Sequence, residues 1–147
     1  MDGDTEVPTS KKLIEELIER KTAFRKERSV LGLDKRTQEQ GLSEFLQKSR
    51  VLKAGDLVGW FKMYWRTIDS WAVGVLITDL ITRLSLWPEY KLPPAFASPR
   101  GVGMRMLRKL CEPNPLNRYD AVQALAELDP NNPIIERYGK AWLQALS

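Results

Sequence analysis

The sequence of 147 residues contains no histidine and a single cysteine. One cysteine can form neither an internal disulfide nor a cysteine-based metal site, which favours an intracellular location in an unspecified compartment. Because no histidine is available to activate the thiol, we interpret Cys111 as a small buried apolar residue and not as a nucleophile.

The chain also lacks a long apolar run. Residues 71–77 are apolar, but Asp79 and Arg83 follow, and a membrane span needs roughly 18 to 20 apolar residues. We therefore predict no transmembrane segment.

The composition is typical of a globular protein, with 43% hydrophobic and 29% charged residues and five tryptophans. The length suffices for one compact domain with its own core. Residues 1–10 are acidic and polar, and we expect a flexible tail.

Residues 11–53 carry 12 Lys and Arg against 7 Asp and Glu. Because the two signs alternate, this segment is interpreted as a solvated helical face, with a nucleic-acid-binding arm as the alternative.

Apolar residues at intervals of three and four positions predict an all-α fold. Helices are expected over residues 11–28, 38–50, 69–84, 98–111 and 119–128, with a last one from position 132 and a loop at 85–98. Thr37 with Gln40 has the spacing of a capping box, and Ser98-Pro99 is typical of a helix start. The helix from Asp69 is apolar on nearly all sides, so we expect other helices to surround it.

Three phrases resemble the protein-kinase large (C-terminal) lobe, in the family's order. The first, Ala54-Gly55-Asp56, stands where kinases carry Ala-Pro-Glu. Next, Asp69-Ser70-Trp71-Ala72-Val73-Gly74 matches the D-x-W-x-x-G pattern that opens the lobe's central helix. Residues 106–121 are similar to its closing phrase, a helix, a proline-containing turn, Arg118 and a last helix. The resemblance covers residues 54–128 and implies a C-lobe-like helical domain at 54–147, preceded by an added helical segment at 11–53.

The resemblance also implies structural roles for particular residues. Asp69 would accept backbone amides from a catalytic loop, within a structural motif that includes Trp71 and Gly74. Asp56 would face Arg118 in a buried ion pair. From the residues alone, each of the two acids could instead be the N-cap of a helix, so that alternative stays open.

The parts of a kinase that perform phosphoryl transfer are not recognisable. The His-Arg-Asp phrase requires histidine, no Asp-Phe-Gly phrase occurs, and Gly101-Val102-Gly103 lacks the third glycine of a phosphate loop. Phosphoryl transfer needs a base, a metal-binding carboxylate and a nucleotide-clamping lysine. We therefore assign no catalytic, cofactor-binding or metal-binding residue and interpret the chain as a non-enzyme.

An aromatic cluster precedes the central helix. Trp60, Phe61, Tyr64 and Trp65 are candidate contacts with a partner, because exposed aromatic side chains dominate binding energy, and core packing is the alternative. A small domain has a limited interior, so at least one of the four is expected to be buried only by a partner chain.

These features favour a non-catalytic, kinase-like helical subunit that binds protein partners in a larger assembly. One alternative is the C-terminal piece of an active Ser/Thr kinase, completed by residues outside this chain. Another is a basic helical protein associated with nucleic acid, although the aromatics are not interleaved with Lys and Arg as in a stacking platform.

The chain alone is expected neither to bind ATP with magnesium nor to transfer phosphate, because base, metal ligand and clamping lysine are all unrecognisable. Isothermal titration calorimetry with ATP and magnesium measures this, with an active kinase as positive control. Saturable binding in the micromolar range would contradict the prediction.

Overall fold

A single helix of 29 residues, α5 (Leu57–Ser85), forms the centre of the molecule. In the computed structural model, which describes residues 10–145, shorter helices from both ends of the chain pack against it. Before it come α1 (Ser10–Arg20), α2 (Thr22–Lys26), a π-helical turn (Glu27–Leu31), α3 (Lys35–Lys48) and α4 (Arg50–Lys53). After it come α6 (Pro94–Ala97), α7 (Val102–Leu110), α8 (Ala121–Leu128), a second π-helical turn (Ile135–Gly139) and α9 (Lys140–Ala145). The described residues contain no strand, which confirms the predicted all-α class.

Helix α5 continues through Asp69, the residue at which a helix start was predicted. Its N-cap is Asp56, whose carboxylate accepts a hydrogen bond of 2.8 Å from the backbone amide of Gly59. No proline interrupts the following residues, so the backbone hydrogen bonds of the helix continue without a break. The prediction of a start at Asp69 is therefore wrong, because Asp69 lies in the interior of α5.

The helix predicted over residues 11–28 is divided at Lys21. This residue has an extended backbone (φ −73°, ψ 120°), after which the chain continues as α2 and the first π-helical turn. The division lets Phe24 join Ile14 and Ile18 in a small buried core between the N-terminal helices.

The predicted cap of α3 is also wrong. Asp34 is the N-cap, and its carboxylate accepts a hydrogen bond of 2.7 Å from the backbone amide of Thr37. Asp34, three residues before Thr37, therefore satisfies the amide at the end of the first turn of α3. Thr37 and Gln40 form no capping box.

The start of α7 lies later than Ser98-Pro99 predicted. The predicted loop contains the one-turn helix α6, and α7 begins only after Gly101. A Cβ atom at Gly101 would lie 2.2 Å from the backbone oxygen of Ala95. This close approach of α6 to the start of α7 fixes the later position of the helix.

The main core lies between α5, α7 and α8 and also receives a residue from the N-terminal segment. Its buried members are Leu31, Ile81, Met104, Met106, Leu107, Leu110, Cys111 and Ala124. Leu31 comes from the first π-helical turn, so residues 11–53 share this core with the rest of the chain. An ion pair between Lys26 and Asp79 joins the same two parts at the surface.

At Gly74, α5 closely approaches the C-terminal end of α7. A Cβ atom there would lie 2.8 Å from Cys111 Sγ and 3.0 Å from Leu110 Cβ. Both neighbours belong to the buried core and have little space in which to move. The glycine of the D-x-W-x-x-G pattern therefore permits the central packing contact of the fold.

We expect Gly74→Ala to lower the free energy of unfolding by about 1 to 3 kcal/mol, although alanine favours helix, because the added methyl overpacks the core. Urea unfolding monitored by circular dichroism measures the change. Adding Cys111→Ala removes the closest clash. The double variant should therefore lose less unfolding free energy than the two single variants lose together. Additive losses, or a Gly74→Ala variant as stable as the parent, would contradict this account of the contact.

Candidate interaction surface on helix α5

A buried carboxylate joins the N-terminal segment to α5. The Glu27 side chain is fully buried, and its Oε1 accepts a hydrogen bond of 2.8 Å from Trp71 Nε1. Its Oε2 accepts a hydrogen bond of 3.3 Å from Gln38 Nε2, which also donates 3.0 Å to the carbonyl of Phe24. Trp71 of the sequence motif thus has a specific polar partner on the inner side of α5.

Arg118 also lies against Trp71, with its guanidinium carbon 5.8 Å from the ring centroid. It donates hydrogen bonds to the backbone carbonyls of Glu112 at 2.7 Å, Pro113 at 3.3 Å and Thr67 at 3.4 Å. These bonds hold the turn after α7 against α5.

The pKa values in this cluster are shifted mainly by burial. Burial raises the pKa of Glu27 to about 7, while the hydrogen bond from Trp71 and the positive charge of Arg118 act in the opposite direction. Burial lowers the pKa of Arg118 to about 10, and the charge of Glu27 partly offsets that shift. Burial also raises the pKa of Cys111 to about 12. The thiol is therefore neutral at physiological pH, in agreement with its interpretation as a buried apolar residue.

The predicted ion pair between Asp56 and Arg118 is not formed. Asp56 is exposed at the start of α5, where it is the N-cap. Arg118 instead donates its hydrogen bonds to backbone carbonyls near Trp71. The acid whose charge acts on Arg118 is instead Glu27. Glu27 lies in the N-terminal segment 11–53, which the kinase resemblance does not cover.

The role implied for Asp69 is also absent from the fold. Its backbone is inside α5, and its side chain is exposed on the outer side of the helix. Within residues 10–145 its carboxylate is neither hydrogen-bonded nor ion-paired to another side chain. The adjacent Ser70 points inward, and its Oγ donates a hydrogen bond of 2.7 Å to the carbonyl of Tyr119.

The four candidate contact aromatics divide between the inside and the outside of the fold. Tyr64 is 5% exposed, stacks edge-on against Phe45 at 5.1 Å and hydrogen-bonds through Oη to Ser49 Oγ at 3.2 Å. Trp60 is half-buried next to it. Because Tyr64 is enclosed within the chain, its assignment as a contact residue is wrong, whereas the assignment of Trp60 stays a prediction. Phe61 and Trp65 remain 60% and 40% exposed and keep the predicted role open.

The outer side of α5 carries more apolar area than the sequence predicted. We define the free face of α5 as Val58, Phe61, Trp65, Val73, Leu76 and Leu80, all large apolar residues that are at least 40% exposed. The expectation that other helices surround the residues after Asp69 is therefore wrong for one side. Lys62, Asp69 and Arg83 lie among these residues, and their charges at helical spacing are the sequence signal for an outward face.

A groove of about 480 Å³ borders the free face between α5 and α8. Its walls include Trp65, Val73, Leu125 and Trp142. The guanidinium of Arg66 stacks 3.9 Å above the ring of Trp142 and lies 5.1 Å from that of Trp65. The groove extends the apolar surface of α5 toward the last helices.

No group of three or more acidic or cysteine side chains in the described residues is placed to hold a metal ion. Across residues 10–145, no helix combines the length and the apolar character of a membrane span. Neither a protein-family model, nor a curated protein, nor a solved structure matches the chain.

The buried carboxylate of Glu27 should make stability fall with rising pH. Because its folded-state pKa is raised, its stabilising contribution is complete below pH 4.5 and is lost as the pH rises through about 7. We expect the free energy of unfolding to fall by about 3 kcal/mol from this group between pH 5 and pH 8.5.

The test compares urea unfolding of the parent and of Glu27→Gln across that range. The variant keeps an acceptor for Trp71 but cannot ionise, so its stability should change much less with pH. Parallel profiles for the two proteins would show that Glu27 does not titrate in this interval.

Proposed function

We propose that this chain is a non-catalytic helical subunit that acts by binding other protein chains, and that it is a degenerate relative of the kinase C-terminal lobe. The observation that carries the proposal is the free face of α5. Contiguous exposed apolar surface of this extent on a folded domain is typical of a protein interaction site.

The total surface of the chain supports the same proposal. It exposes 10583 Å², whereas a compact monomer of this mass, 16.9 kDa, exposes about 7,700 Å². The residues outside 10–145 contribute at most about 1,700 Å², the value for fully extended chain, which leaves an excess of roughly 1,200 Å². A standard interface covers about 800 Å² of each partner.

The relation to a kinase lobe is supported by contacts between two of its phrases. The hydroxyl of Ser70 binds the carbonyl of Tyr119, and Arg118 binds the carbonyl of Thr67. The central-helix phrase and the closing phrase, which are far apart in sequence, are therefore in direct contact. A scaffold of this kind can present a binding surface without a catalytic cleft.

Phe61→Ala and Trp65→Ala should each weaken capture of native partners by at least tenfold, because each removes exposed aromatic area at a predicted contact. Pull-down with the purified protein from its native source, followed by titration of the captured partner, measures the loss. Tyr138→Ala is the control, since Tyr138 is at least as exposed as Phe61 and Trp65 but lies on the second π-helical turn. Unchanged capture by both variants would contradict the assignment of these residues.

A further inference from the structure

We propose that a second copy of this chain covers the C-terminal two-thirds of the free face of α5, with the two α5 helices antiparallel about a two-fold axis at Leu76. This inference rests on the proposed function, since it names one of the protein partners. It is carried by the pattern of charge and apolar side chains along α5.

The geometry of a symmetric helix pair fixes which residues meet. In an antiparallel pair about a two-fold axis, residues at equal distances before and after the axis face each other. Asp69, Ala72, Leu76, Leu80 and Arg83 follow one another at intervals of three and four, so they lie along one side of the helix. All five side chains are exposed in the single chain.

An axis at Leu76 pairs opposite charges. It places Asp69 opposite Arg83 of the second copy, and the symmetry forms this pair twice. Within the described residues the Asp69 carboxylate has no side-chain partner, and the Arg83 side chain is 75% exposed although it contacts Asp79 at 3.0 Å. Both groups are therefore accessible for a bond to another chain.

The residues between the two charge pairs form the apolar centre of the contact. Leu76, which is 67% exposed, meets its own copy, and Leu80 meets Ala72. The small side chain of Ala72 lets the two helices approach closely. The contact between the two charge pairs extends over about 21 Å, the length of 14 helical residues.

Two other axes along the same face place like charges together. An axis between Ala72 and Val73 would bring Lys62 opposite Arg83. An axis between Ser70 and Trp71 would place the two Asp69 side chains within one helical turn of each other. Like charges in an interface cost several kcal/mol, so the charge pattern favours Leu76 over these two axes.

The surface area is sufficient for this arrangement. The roughly 1,200 Å² by which the chain exceeds a compact monomer is larger than the 800 Å² or so that each subunit of a standard interface covers. Val58 and Phe61 lie beyond the self-contact and remain exposed for a different partner.

Sedimentation equilibrium of the purified full chain tests the proposal. We expect the parent to form dimers and Leu76→Asp to be monomeric at the same concentrations. Val58→Asp, the same change on the same helix but outside the contact, should remain dimeric. Circular dichroism checks that each variant is folded, which is expected because both positions are exposed. A monomeric parent at 100 µM or a dimeric Leu76→Asp would overturn the proposal.

Charge reversal tests the register of the pair. Asp69→Arg and Arg83→Asp should each raise the dimer dissociation constant at least tenfold, because each places two like charges opposite each other. The double variant restores opposite charges and should recover most of the affinity. Failure of the double variant to recover would exclude the axis at Leu76.

The outcomes separate this inference from the proposed function. A monomeric parent that still captures a native partner through Phe61 would exclude self-association and leave the proposed function intact. A parent that neither self-associates nor captures any protein would contradict both. A dimer whose partner capture is insensitive to Phe61→Ala would support the self-contact and reject the assignment of Phe61.

Discussion

The hydrogen bonds of the buried Glu27 carboxylate determine how the two parts of the molecule fit together. An acidic group removed from water must find donors, since leaving it unpaired costs several kcal/mol. Trp71 on α5 and Gln38 on α3 supply those donors, so the N-terminal helices have one favourable position on the central helix. Arg118 lies against the same tryptophan, which extends the constraint to the turn after α7.

The helices within residues 10–145 do not enclose α5 on every side. The N-terminal segment covers one side through Trp71 and Asp79, and α7 covers another through Gly74. Once these positions are fixed, no further helix of the described part of the chain covers the side that carries Phe61 and Leu76. Its apolar character is consistent with selection for contact with another protein surface.

The sequence predicted the helical class, because apolar periodicity depends on residues close together in the chain, but it placed the start of α7 too early, at Ser98-Pro99. It failed at Asp69, since the same aspartate can begin a helix or lie on the outer side of one. It also failed for the partner of Arg118. The acid is Glu27, 91 positions away in sequence, and helical periodicity carries no information about such a pairing. The sequence did not predict the exposure of Leu76 and Leu80. An apolar run indicates burial, but it does not indicate whether the same chain or another one covers the residues.

The only thiol of the protein lies at the contact between α5 and α7, with no exposed surface and a pKa raised to about 12. A thiol-specific reagent therefore cannot react with the closed structure, since it needs both access and the thiolate. Modification of Cys111 requires α7 to separate from α5. The rate of labelling in native buffer consequently reports how often the centre of the molecule opens, without any engineered probe.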